Sequence, residues 1–379
     1  MADRGNRSGD GRVPIEPQTI DAPLTRHAVF LVLTVAPGAD APGSDPLDAV
    51  RSVLSDVGGL VKTVGFRDLG ASFTCTVGIG AAIWPGLTGL PLPRELHEFT
   101  TITGARHTAP STPGDLLFHI RSDRQDLCYE FERLLLEALG DAVTVADETI
   151  GFRYLDTRDL LGFVDGTANP VGDHLPESTL VGEEDPAAAG GSYVVVQKYL
   201  HPLASWHALT TEQQEAIIGR RKADNVELDD ADSGQKAHKT LATIVDDAGV
   251  EHDILRDNMP FGSPGTATFG TYFIGYSREL WVVERMLERM FIGDPPGLHD
   301  RLLDFSEAVT GSVFFAPSAE ALANLGSPSS PAPAPPAPSG PGTPAPAGET
   351  DSAGAGTGSL GLGGLRRTST TPQQSGDER

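Results

Sequence analysis

Three segments carry residue types that can do chemistry together. GFVDGTANP (162–170) sets Asp165 between an apolar pair and Gly166. Asp-Gly and Asn-Pro are both turn formers, so an ordinary turn explains it on local grounds. The functional reading is that the glycines let the backbone pass close to a flat ligand while Asp165 points into a cavity. SGQKAHKTLATI holds His238 where a polar loop runs into an apolar stretch. A lone histidine is more often structural than a ligand, yet imidazole is a common axial ligand of heme iron. ILRDNMPFGSPGTATFGTYFIGYS (254–277) places Arg256 and Asn258 two residues apart, and strand periodicity puts them on one face. A surface arginine is the default there, but the aromatic, glycine-rich continuation suits a cavity wall. Taken by spacing alone, the three segments describe a pocket and no more.

The elements that must position these residues repeat. HAVFLVLTVA (27–36) is a strand, DPLDAVRSVLSDVGGL (45–60) a helix, and FTCTVGIGAAI (73–83) and DLLFHIRS (115–122) strands. A helix follows over 125–139, with Leu127, Phe131, Leu134, Leu135 and Ala138 on one face, then a strand in 144–155. The second half runs in similar order: strand 191–200, helix 210–221, strand 267–277, helix 278–291 with Leu280, Val283, Leu287 and Met290 in one stripe, and strand 312–317. Two such β-α-β-β-α-β series predict an α+β protein of two ferredoxin-like halves with antiparallel sheets, 21–155 and 156–320. A polar disordered arm is expected over 1–20.

Composition narrows the function. Hydrophobic residues make up 39% of the 379, enough for real cores, and the formal net charge is −24, from 28 basic and 52 acidic side chains. Such a surface repels nucleic acid and anionic membranes. Cys75 and Cys128 form no C-x-x-C pair, which fits a reducing compartment and indicates neither zinc ribbon nor disulfide framework. The N-terminus has no apolar signal core, and no stretch approaches about 18 apolar residues. From 321 to 357 the chain is rich in Pro, Gly and Ala, with nine prolines in residues 326–346. In polyproline geometry, at roughly 3.1 Å per residue, those 21 residues reach about 65 Å. GSLGLGGLRR (358–367) then sets three leucines among glycines, and residues 368–379 form a polar, disordered end.

GFVDGTANP, KADNVELDDAD with the following His238 (222–238), ILRDNMPFG (254–262) and GTYFIGYSREL (270–280) resemble the dye-decolorizing peroxidases, in order, across about residues 25–318. The pattern is most like the compact bacterial subgroup. The resemblance implies two ferredoxin-like halves of the dimeric α/β-barrel type and one heme b. His238 falls at the axial-ligand position, Asp165, Arg256 and Asn258 at distal positions, and Arg220 where a residue meets a heme propionate, with Arg221 as an alternative. Ala237 stands where the family often has a small polar residue. A carboxylate usually supports the axial histidine, and Asp294, Asp300 and Asp304 are the candidates. The implied reaction reduces hydrogen peroxide through a ferryl intermediate and oxidises phenolic or dye-like donors in single-electron steps. An ordinary aspartate pKa of about 3.9 would let Asp165 relay a proton in acid, and Arg256 would stabilise developing negative charge.

The tail segment GSLGLGGLRR resembles the cargo-loading peptides that dock enzymes inside encapsulin shells, with Leu360, Leu362 and Leu365 as anchors and Arg366 at the groove rim. The resemblance implies a cytoplasmic homo-oligomer, dimer to hexamer, packaged in an encapsulin nanocompartment. Two other readings stand beside it: a heme carrier or heme-handling protein on the same fold, and a heme-free shell-associated protein in which His238 is no ligand.

Overall fold

The computed structural model describes residues 15–37, 45–229 and 234–326. In the first half, strand β1 (His27–Val35) is followed by helix α1 (Asp45–Ser55), strands β2 (Thr74–Ile79) and β3 (Leu116–Ser122), helix α2 (Gln125–Leu139) and strand β4 (Val143–Phe152). The second half contains β5 (Ser192–Leu200), α3 (Thr211–Ile218), α4 (His238–Ala242), β6 (Leu255–Arg256), β7 (Met259–Ser263), β8 (Thr268–Ser277), α5 (Leu280–Phe291) and β9 (Ser312–Ala316). The nine strands join one antiparallel sheet in the order β6-β8-β5-β9-β2-β3-β1-β4, with β7 also on β8. Each half therefore has the ferredoxin-like order second-third-first-fourth, the second strand of the latter half being broken into β6 and β7. The halves meet where Phe315 of β9 pairs with Ile79 of β2. The sheet curls into a half-barrel whose far edges approach: a Cβ on Gly151 of β4 would stand 2.7 Å from Met259 Cβ of β7.

The apolar run of β1 follows from burial on both faces. Val29, Leu31 and Leu33 face the helices; Ala28, Phe30 and Val32 face the inside of the curl, with Tyr272 and Met259. Leu47, Val50 and Leu54 of α1 are wholly buried, each burial contributing about 1.5–3 kcal/mol. In α2 the buried stripe is Leu127, Phe131, Leu135 and Leu139. Ala138, expected inside, is exposed and Leu134 only half-buried, because the contact face centres on the i, i+4 row that ends at Leu139. In α5 the expected stripe is buried and widened by Val282, Met286 and Phe291.

Three boundaries differ from expectation. Residues 15–20, read as part of a disordered arm, pack into the fold: Gln18 Nε2 donates to the Val77 and Pro317 carbonyls at 2.9 Å, its Oε1 accepts from Val77 N–H at 2.8 Å, and Ile20 is buried. The chain also stays folded beyond 320, through a short helix Ala319–Ala323 capped by Ser318, with Leu322 and Leu325 buried. Helix α3, expected to run to 221, stops at Ile218 because Gly219 takes φ +87°, a left-handed conformation that glycine accepts without strain. The Pro-rich linker beyond 326 and the segment with Leu360, Leu362, Leu365 and Arg366 lie outside the described residues. Among the described residues no helix is long and apolar enough to cross a membrane.

Candidate active site

Two adjoining cavities, of about 170 and 600 Å³, share Val164, Asp165, Ile218, His238 and Arg256 as lining residues. Together they form one slot. Its inner part is lined by apolar groups such as Phe273, Met286 and Met290, and its outer part by the cations Arg220, Lys239 and Arg289.

His238 opens α4, a short helix held by buried Leu241 and by Arg289 Nη2 donating to the Thr240 carbonyl at 3.1 Å. Its Nδ1 lies 2.6 Å from Asp300 Oδ2. Asp300 is wholly buried, and its Oδ1 accepts from Leu302 N–H at 2.9 Å, so both oxygens are engaged. Of the three carboxylates that sequence left open, geometry selects Asp300: Asp294 faces Lys236 and Arg289, each at 3.2 Å, and Asp304 faces His107 and His299. His238 Nε2 has no hydrogen-bond partner among the described residues.

Asp165 and Arg256 come together through the GFVDGTANP turn. Asp165 Oδ1 accepts from Gly166 N–H at 2.7 Å, with Gly166 at φ +76°, and from Asn258 Nδ2 at 3.5 Å. Asn258 is fixed in turn by Ile274 N–H donating to its Oδ1 at 3.2 Å. Asn169 of the same turn clamps the Arg256 backbone, accepting from its N–H at 3.0 Å and donating to its carbonyl at 2.7 Å. Between Arg256 and Asn258, Asp257 points the other way and is buried against Arg121, Oδ2 to Nη1 3.1 Å. At the break between β6 and β7, Arg256 and Asn258 thus line the slot while the residue between them is anchored in the opposite half. Burial pulls the Arg256 guanidinium below its usual range, with the Asp165 charge opposing. No hydrogen bond or ion pair occupies that guanidinium among the described residues.

Arg220 lines the outer part of the slot, bridged to Glu227 and donating to the Asn225 carbonyl at 3.3 Å. Arg221 instead pairs with Asp224 and is half exposed, away from the lining. Sequence reasoning missed four groups. Asp159 lines the inner slot; burial pushes its carboxyl up to about 7, opposed by the Phe163 N–H and reinforced by the Asp165 charge. His201, pushed down to about 4 by burial, sits between Thr271 Oγ1 and Ser306 Oγ, each at 2.9 Å. Arg289 stands at the mouth, and Asn169 was quoted in the motif without a role. Only Asn169 had a signal, its place within a dense turn motif; the others become visible when distant segments meet.

A slot with an apolar inner part and a cationic mouth, lined by one carboxylate-backed imidazole, an arginine and an aspartate on a two-ferredoxin fold, defines a candidate cofactor pocket. The family comparisons agree. The model described as Dyp-type peroxidase, N-terminal, matches residues 17–153, and that described as Dyp-type peroxidase, C-terminal, matches residues 156–321. The chain belongs to the dye-decolorizing peroxidase family. It is 51% identical over 322 residues to the dye-decolorizing peroxidase of Mycolicibacterium paratuberculosis, covering 84% of this chain and 89% of that one. Among solved structures, a heme-bound variant of DypB from Rhodococcus jostii RHA1 is 53% identical with a TM-score of 0.78, covering 82% of this chain and 99% of that one. The encapsulated DyP-type peroxidase from Mycobacterium smegmatis is 49% identical with a TM-score of 0.78, covering 85% and 100%.

Proposed function

We propose that this chain is a heme b peroxidase that consumes hydrogen peroxide and oxidises phenolic or dye-like donors one electron at a time. The observation that carries the reading is the His238–Asp300 pair at 2.6 Å on the wall of the same slot as Arg256 and Asp165. The residues fit the cofactor. One imidazole nitrogen in the slot, Nε2 of His238, is left over for iron, apolar side chains of the inner part suit the macrocycle, and Arg220 and Arg289 at the mouth suit its propionates. Heme, when bound, supplies the redox chemistry that splits the peroxide O–O bond.

The chain's own groups do the rest. Asp300 accepts from His238 Nδ1–H, fixing the tautomer and raising the basicity of Nε2. Asp165 takes the proton from the inner peroxide oxygen and returns it to the outer one, which leaves as water. Its Oδ1 is already occupied by Gly166 and Asn258, so Oδ2 is the oxygen that handles the proton. Arg256 stays cationic and stabilises negative charge on the departing oxygen, an electrostatic contribution worth more in a partly dry slot. Asn258 orients Asp165 and peroxide. Bulky donors are oxidised at the protein surface, because the inner slot of about 170 Å³ excludes them.

The tail reading belongs to the same proposal. Leu360, Leu362, Leu365 and Arg366 dock the enzyme, as a homo-oligomer of two to six copies, on the inner wall of an encapsulin shell in the cytoplasm, with the Pro-rich linker as tether. Support comes from the leucine-glycine pattern and from the relative described as encapsulated. Co-expression with a shell protein tests it: Leu360→Ser with Leu362→Ser and Leu365→Ser should leave the peroxidase outside shells that capture the wild type.

The central test is an absorption spectrum of heme-loaded protein before and just after one equivalent of hydrogen peroxide, for wild type and His238→Ala. The peroxidase reading requires a Soret band that shifts at once with peroxide, and heme lost or loosened in the variant. A ferric spectrum untouched by peroxide supports a heme carrier instead, and the absence of any Soret band removes heme from the account.

A further inference from the structure

The loop that carries Asp300 also carries His299 and Asp304, and these two meet a residue from the other half. His107 lies on a small hairpin whose arms are Ile102–Thr103 and Thr108–Ala109. His107 Nε2 lies 3.0 Å from Asp304 Oδ1, and His299 Nε2 lies 3.1 Å from the same oxygen. The two imidazole centroids are 4.8 Å apart. The three ligating atoms all lie within 4.8 Å of one another. His107 and Asp304 line a surface cleft of about 720 Å³, which gives an entry path.

We infer that His107, His299 and Asp304 form a binding site for a divalent transition cation of the imidazole-preferring class, zinc being the simplest member. Bonds of about 2.0–2.1 Å in tetrahedral geometry put neighbouring ligand atoms roughly 3.3 Å apart. The two nitrogen-to-oxygen spacings, 3.0 and 3.1 Å, already match to a few tenths of an ångström, and the two imidazole nitrogens, within 4.8 Å of one another, need a side-chain adjustment of at most about 1.5 Å. Two imidazole nitrogens converging on one carboxylate oxygen, with the cleft open for a water in the fourth position, is the three-ligand arrangement zinc accepts. Arg301 Nε stands 3.7 Å from Asp304 Oδ2, and Arg106 lines the cleft. Those cations oppose an ion held by charge alone, so calcium, magnesium and manganese are disfavoured, whereas nitrogen ligation favours zinc, copper or nickel. Arg301 also engages the outer carboxylate oxygen, leaving Oδ1 as the ligand. The bound ion ties the hairpin of the first half to the loop of the second half that holds Asp300, the neighbour of His299. Occupancy therefore stiffens the support of His238, and zinc binding itself is measurable whether or not the heme reading holds.

The experiment titrates zinc chloride into chelator-stripped, full-length protein by calorimetry and follows thermal unfolding with and without the metal, for wild type, His107→Gln and Asp304→Asn. Expected are one tight zinc per chain and a rise in melting temperature in the wild type. Each variant should lose more than the roughly 10–100-fold in zinc affinity that even outer-sphere changes at metal sites cost. Binding that is weak and non-stoichiometric in the wild type, or unchanged in His107→Gln, overturns the site. If the variants fail to fold, X-ray absorption at the zinc edge of the wild type decides: two imidazole ligands uphold the assignment, and fewer overturn it.

Discussion

The first strands of the two halves occupy equivalent places in the sheet, yet they turn different faces to their helices. β1 offers Val29, Leu31 and Leu33, and α1 and α2 close over them with a mainly apolar layer. β5 offers Val195, Gln197 and Tyr199 in the equivalent row, with Tyr199 OH donating to Gln197 Oε1 at 2.7 Å. There the helix layer stands off and the slot opens instead. Buried polar groups must find partners, so a strand that carries them specifies a cavity wall where an aliphatic one specifies a core. One topology thus serves as a scaffold in one half and as a binding site in the other. The halves are not independent, because Asp257, between Arg256 and Asn258, is held by Arg121 of β3.

That link gives the largest expected effect. Arg121→Met leaves Asp257 buried without its cation and should lower the unfolding free energy by about 3–5 kcal/mol in urea titration. A loss below about 1 kcal/mol would show that the halves are held without it. Next is Arg256→Leu, which should cut kcat/KM for peroxide by about 1,000-fold with heme retained. Asp165→Asn should cost less, about 100-fold; a reversed ranking of the two variants would make proton relay, rather than charge stabilisation, the dominant contribution of the slot.

The last expected effect is on pH dependence. In the folded protein Asp159 is raised from 3.8 to about 7 by burial. Its contribution to stability is therefore full below the unfolded value and is lost as pH rises through about 7. Asp159→Asn should leave heme-free stability unchanged near pH 3, below the unfolded value, and raise it near pH 8, where the wild type carries the penalty of a buried charge. Melting curves at the two pH values check this, and an equal change at both would mean that the side chain acts through packing and not through its charge.

Much of the fold was legible in the chain. Runs such as HAVFLVLTVA and SYVVVQKYL announce strands buried on both faces, and the stripes of α2 and α5 announce helices that cover them. The second strand of the latter half was not legible, because it is broken at Asp257–Asn258, where side chains leave the regular pattern to serve the slot and the other half. Sequence also picked out Asp165, His238, Arg256 and Asn258, since turn glycines, an isolated histidine and alternating polar residues are local features. It could not choose among Asp294, Asp300 and Asp304, all within a dozen residues of one another; only the packing of the 294–305 loop against α4 and α5 sends Asp300 to His238 and turns the others elsewhere. Nor could it see Asp159, His201 or the cluster of His107, His299 and Asp304. Their chemistry depends on burial and on contacts between segments up to about 200 residues apart, and those exist only once the sheet has curled.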